Sequence, residues 1–167
     1  MDNRELVDEI GTALQKKDTE VEEVKQFFKF LVFRVGDKSY ALYADEVREI
    51  VIDTPIFYIP FVPAYISGLI NRHGEPYTVV DISMLFEQKK LDANTFLILK
   101  KENDQITFQI SDVDEIIKVR EDHVNLLSSK EEEEGFFLGS ITVKERDIFI
   151  LNTQSVYQRV ESDLDSE

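Results

Sequence analysis

The residues able to do chemistry are few, and their spacing does not assemble a reaction centre. His73 and His123 stand fifty residues apart, with no HExxH, paired Cys/His or calcium-loop pattern around them, so no metal site is indicated. His73 falls in a predicted turn and His123 in a polar stretch, where solvated or locally bonded imidazoles are the ordinary outcome. Cysteine is absent, which removes thiolate catalysis, disulfides and cysteine-bound zinc or iron–sulfur centres. The six glycines form no Walker loop, no G-x-S-x-G and no G-x-G-x-x-G. Carboxylates are abundant, 34 Asp and Glu against 19 Lys and Arg, but a paired-acid mechanism needs two of them at a fixed separation in a cleft, and abundance does not supply that. The expectation is a binding module with no catalytic residue, no metal and no cofactor. The net charge of -15 also argues against a nucleic-acid partner, whose phosphates require a basic surface.

The elements that must position any binding surface are mostly β. A chain of 167 residues with 43% hydrophobic content has enough length for one ordinary domain or two very small ones. The start, MDNRELVDEI, is not a basic, apolar signal, and no apolar run approaches the roughly 20 residues of a bilayer span. A cytoplasmic protein without direct membrane insertion is expected. Residues 1–26 hold eight acids and four bases, with Leu6, Ile10 and Leu14 on one helical face, which predicts an acidic helical extension docked on the body or on a partner. From Phe27 the pattern predicts a hairpin over 29–35 and 39–43, an extended connection around Pro55, Pro60 and Pro63, and strands at 66–71 and 76–80. Later strands are predicted at 95–100, 105–110, 115–119, 136–143 and 147–151, with an acidic tail over 161–167.

An internal comparison organises these strands. With a shift of 66, Phe30-Leu31-Val32-Phe33 falls on Phe96-Leu97-Ile98-Leu99, while Val47, Glu49 and Ile50 fall on Val113, Glu115 and Ile116. With a shift of 71, Gly68 lands on Gly139, Ile70 on Ile141, and Val79-Val80-Asp81 on Ile150-Leu151-Asn152. Each copy ends a β run in an Asx residue placed to cap a helix. Five short strands in about 60 residues suit a small barrel that hides its edges, so the expected fold is mainly β: two SH3-like five-stranded barrels with short peripheral helices. The expected division is 27–86, a crossover at 87–94, and 95–160 with a C-terminal helix. Such barrels have little interior room, so recognition belongs on outer faces or between the copies.

The stretch FLVFRVGDKSYALYADEVREI at 30–50, followed by the proline-rich connection and GLINRHGEPYTVVDISMLF at 68–86, resembles the CheW-like domain of bacterial chemotaxis coupling proteins. Residues 96–157 are similar to that family's second subdomain, so the resemblance spans about 27–160. It implies a non-enzymatic scaffold that joins chemoreceptor cytoplasmic tips to the regulatory domain of the histidine kinase CheA. It also implies that Val47, Glu49 and Ile50 form part of a receptor-binding groove, and that Gly68, Asn71 and Gly74 belong to the family's G-x-x-N-x-R-G turn. Here the family's arginine position holds His73, and the arginine stands one place earlier, at Arg72. Thr78, Thr107 and Ser111 depart from the family's usual proline, glycine and aspartate, as in a paralogue with altered partners. Read without the resemblance, paired SH3-like barrels also suit a stand-alone adaptor that binds other peptides.

Overall fold

The apolar runs FLVF and FLIL are continuous rather than alternating, which suits strands buried on both faces. The computed structural model describes residues 26–100, 105–128 and 135–165, and the predicted N-terminal helix lies outside them. The strands are β1 (Phe27–Val35), β2 (Lys38–Tyr43), β3 (Val47–Ile52), β4 (Ile66–Arg72), β5 (Glu75–Asp81), β6 (Thr95–Leu99), β7 (Ile106–Ile110), β8 (Asp112–Arg120), β9 (Asn125–Leu126), β10 (Phe137–Val143) and β11 (Arg146–Leu151). Helix α1 (Ile82–Glu87) follows β5, and α2 (Thr153–Asp165) follows β11. One sheet has the order β3-β6-β7-β5-β4 and forms barrel I; the other, β8-β1-β2-β11-β10-β9, forms barrel II.

The two sheets exchange strands across the division at 87–94 that the repeat suggested. Barrel I takes β6 and β7 from the second copy, and barrel II takes β1 and β2 from the first. The exchange is reciprocal to the residue. Val51 faces Phe96 in barrel I and Ile117 faces Phe30 in barrel II. Thr78 faces Ile106 across a parallel pair, and Phe149 faces Tyr40 across its counterpart. Every partner is displaced by the 66 or 71 residues found in the sequence. Barrel II also has a sixth, two-residue strand, β9, whose counterpart in barrel I is the single bridge between Phe57 and Leu69.

Three cores result. Val51, Ile70, Tyr77, Val79, Phe96 and Ile98 fill barrel I. Phe30, Val32, Ala41, Ile141, Ile148 and Ile150 fill barrel II. Between the barrels lies a larger core that contains Leu31, Phe33, Leu97 and Leu99. Neighbouring residues of β1 and β6 thus enter different cores, which explains the unbroken apolar runs. Full burial of one such side chain contributes about 1.5–3 kcal/mol, so the core between the barrels holds them as one body.

The helices start where the Asx residues predict. Asp81 Oδ1 accepts the Met84 N–H at 3.0 Å, and Asn152 Oδ1 accepts the Ser155 N–H at 3.3 Å. Asp81 also accepts the Leu91 N–H through Oδ2 at 2.8 Å. That bond turns the chain back, and α1 stops at Gln88, which adopts φ 57. Helix α2 runs on for 13 residues.

Candidate functional site

Strands β3 and β4 are the two edges of the barrel I sheet, and a charged pair spans the gap between them. Arg72 Nε donates to Glu49 Oε1 at 2.9 Å, and Nη2 donates to the same oxygen. The Arg72 hydrogen bond holds the Glu49 carboxyl below the usual carboxylate range, against an opposing effect of partial burial and with weaker pulls from His73 and Arg48. Beside it, Arg48 Nη1 donates to the Tyr77 hydroxyl at 3.1 Å. Beyond a bulge at Arg48, the β3 pleat turns Ile50 and Ile52 to one outer face, where both are exposed, and Glu49 to the other. The edge strand therefore carries an apolar strip on one face and a fixed ion pair on the other.

The turn after β4 is built for its two-residue length. His73 has φ 54 and Gly74 φ 80, the conformation of a type I′ hairpin turn. Asn71 Oδ1 accepts the Gly74 N–H at 3.1 Å and pins it. Gly68 has a different task. It sits at a bulge in β4 with φ 144, and a Cβ there would lie 2.2 Å from the Phe57 carbonyl oxygen. The structure thus brings Glu49 to Arg72 and Asn71 to Gly74, while Gly68 holds the incoming connection close. Val47 is half-buried against the core between the barrels, and the bulge at Arg48 leaves it on the same face of β3 as Ile50, Val47 opposite Leu99 and Ile50 opposite Leu97. His73 is exposed, and Arg72 is the side chain that reaches Glu49.

Sequence reasoning passed over the proline-rich connection. Phe57, Tyr58 and Phe61 are all exposed there, Tyr58 by 82% and Phe61 by 89%. Phe61 also adopts φ 62, a left-handed conformation that an aromatic residue rarely takes. Together with Ile52 these residues are exposed apolar side chains of barrel I. The available signal was the concentration of apolar residues between prolines in a segment too irregular to bury them.

Catalytic geometry is not built around the perturbed carboxyl of Glu46. Burial raises its pKa from 4.5 to about 7, with a further push from Asp45. Thr153 donates to Oε1 at 3.4 Å, while Oε2 is sequestered from solvent without a hydrogen-bond partner among the described residues. Among the described residues no cluster of three His, Cys, Asp or Glu could hold a metal ion, and no helix is long and apolar enough to cross a membrane.

Comparison with known proteins agrees with this architecture. The family model of the CheW-like domain matches residues 29–161. The probable chemotaxis protein CheW of Rhizobium etli is 23% identical over 140 residues, covering 81% of this chain and 90% of that protein. The chemotaxis protein CheW of Helicobacter pylori is 31% identical over 114 residues, covering 65% of this chain and 66% of its own length. The crystal structure of the scaffolding protein TtCheW from Thermoanaerobacter tengcongensis superposes with a TM-score of 0.67 at 23% identity, over 76% of this chain and 90% of that one. With 133 consecutive residues matched by the family model and the strands arranged as that fold requires, the chain belongs to the CheW-like domain family.

Proposed function

We propose that this chain is a non-enzymatic chemotaxis scaffold that couples chemoreceptor cytoplasmic tips to the regulatory domain of a CheA-type histidine kinase in the cytoplasm. The observation that carries the reading is the β3 edge: exposed Ile50 and Ile52 on one side of the strand and, on the other, a Glu49–Arg72 pair that spans two sheet edges. A helical receptor tip needs an apolar strip for its buried side chains and a fixed polar group to set its register, and this edge supplies both. The kinase contact uses the patch around Ile52, Phe57, Tyr58 and Phe61, with apolar residues at the centre and the acidic excess at the rim.

Titration calorimetry of the full chain against an isolated CheA regulatory domain, and separately against a receptor-tip peptide, tests both halves. Saturable heat in both titrations and a complex on sizing with the kinase domain are expected. Silence in both at tens of micromolar would move the chain to the class of stand-alone tandem-barrel adaptors.

A further inference from the structure

The reciprocal exchange gives every surface of one barrel a counterpart on the other, so an unmatched surface stands out. In barrel I a groove runs beside Thr78, Gln105 and Ile106, and the second half of α2 walls it with Val160 and Leu164. The helix is anchored there, with Val160 buried and the Tyr65 hydroxyl donating to Asp163 Oδ2 at 2.6 Å. The counterparts of those groove residues in barrel II are Phe149, Ser39 and Tyr40, and they line a cavity of about 590 Å3. Among the described residues no helix walls it, because α1 ends two turns early, where Asp81 draws Leu91 back.

The uncovered cavity is more apolar than its covered counterpart. Tyr40, Phe86, Phe137 and Phe149 form a continuous ring cluster, with Tyr40 stacked on Phe137 at 6.0 Å and Phe137 tilted against Phe149 at 5.1 Å. Phe149 is half exposed. Most rim charges already have partners: Lys38 pairs with Glu87, Arg146 donates to Ser39, and Asp147 accepts from Thr142, while Asp37 also stands at the rim. What remains to be recognised is apolar surface with the footprint of two helical turns.

We propose that the segment 4–16 of this chain covers this cavity as an amphipathic helix, in the role that the second half of α2 plays on barrel I. Three observations select this occupant. In α2 the covering stripe is Val156, Val160 and Leu164, aliphatics at intervals of four. Leu6, Ile10 and Leu14 repeat that chemistry at the same intervals, with acids between them in both segments. The reach also suffices. The cavity lies at the hairpin end of β1, and β1 spans roughly 27–30 Å from Phe27, whereas the twelve residues 15–26 extend up to about 40 Å. The contact would make the N-terminal segment part of the folded body, and it requires neither a receptor nor a kinase.

The chain has no cysteine and no tryptophan, so single reporters can be placed in the full-length protein. A nitroxide on Asp8→Cys, on the polar side of the stripe, should erase the amide signals of Phe86, Phe137 and Phe149, and reduction of the label should restore them. In a separate Phe149→Trp protein, the indole emission should be blue-shifted and shift to the red when Ile10→Asp is added. Broadening confined to another face, or no broadening together with an emission that Ile10→Asp leaves unchanged, overturns the proposal. So does an emission shift that tracks protein concentration, which would assign the cavity to a second copy of the chain.

Discussion

Arg72 and Glu49 close the gap between the two edge strands of barrel I: the guanidinium of β4 places two donors on one carboxylate oxygen of β3. Neither strand is hydrogen-bonded to the other in the sheet, so the pair fixes a spacing that the ladder leaves open. Removing the arginine frees both the charge and the strand separation. Arg72→Ala is expected to weaken binding of a receptor-tip peptide about tenfold, whereas His73→Arg should change it little, because position 73 is a left-handed turn residue outside the pair. The lowered pKa of Glu49 means that the pair is intact above the ordinary carboxylate range and is lost only as pH falls through the folded-state value. Affinity should therefore be the same at pH 6 and pH 8. Calorimetry at both pH values checks this, and a steep change across that interval would return the contact to His73.

Glu46 gives the opposite sign. Its folded pKa of about 7 lies above its ordinary value of 4.5, so the folded state favours the neutral acid. Stability from this group is complete below the ordinary value and is lost as pH rises through about 7. Glu46→Gln keeps the shape and removes the titration. The variant should match the wild type near pH 4 and exceed it at pH 8 by about 1–2 kcal/mol, since solvent screening of this part-buried group reduces the full value of roughly 1.4 kcal/mol per pKa unit. Urea titrations at pH 4, 6 and 8 read the gap. A gap that does not widen with pH would show that solvent relieves the buried charge.

Two glycines of the same hairpin separate steric need from turn geometry. At Gly68 an added Cβ meets the Phe57 carbonyl at 2.2 Å, and backbone on both sides prevents relief. At Gly74 the same atom meets nothing, and only the positive φ opposes it. Gly68→Ala should cost about 3 kcal/mol or more, and Gly74→Ala about 1 kcal/mol. Gly74→Val should reduce receptor-peptide binding more than it reduces stability. Thermal melts of the three variants, read against peptide affinity, provide the comparison.

Much of this architecture was legible because duplication leaves correlated marks. The shifts of 66 and 71 appear in the sequence as apolar runs and in the structure as matched partners, Val51 to Phe96 and Ile117 to Phe30. The exchange of β1–β2 for β6–β7 was not legible, because a strand pattern records which faces are buried and not which sheet buries them. The turn at Asn71 and Gly74 could be read because its chemistry is local. Glu49 and Arg72, 23 residues apart, meet only through the closure of the barrel, and no spacing rule foretells which of two adjacent side chains will point inward. The exposed aromatics of the proline-rich connection escaped for a related reason: composition gives apolarity, and only the fold shows that nothing covers it.

Phe61 joins a conformational cost to an exposed ring. At φ 62 its Cβ is strained, and with 89% of the residue exposed the ring contributes little burial in return. Asparagine tolerates the left-handed region far better, so Phe61→Asn should stabilise the isolated chain by about 0.5–1 kcal/mol. If the patch of Ile52, Phe57, Tyr58 and Phe61 is the kinase contact, the same change removes an aromatic anchor from its centre, and affinity for the kinase regulatory domain should fall about tenfold or more. Tyr58→Ser, at a site with neither strain nor burial, should lower affinity without a gain in stability. Calorimetry against the kinase domain and urea titration of the free chain read the two effects separately. Stabilisation with unchanged affinity would place the kinase contact on another face and leave the strained phenylalanine without a binding role.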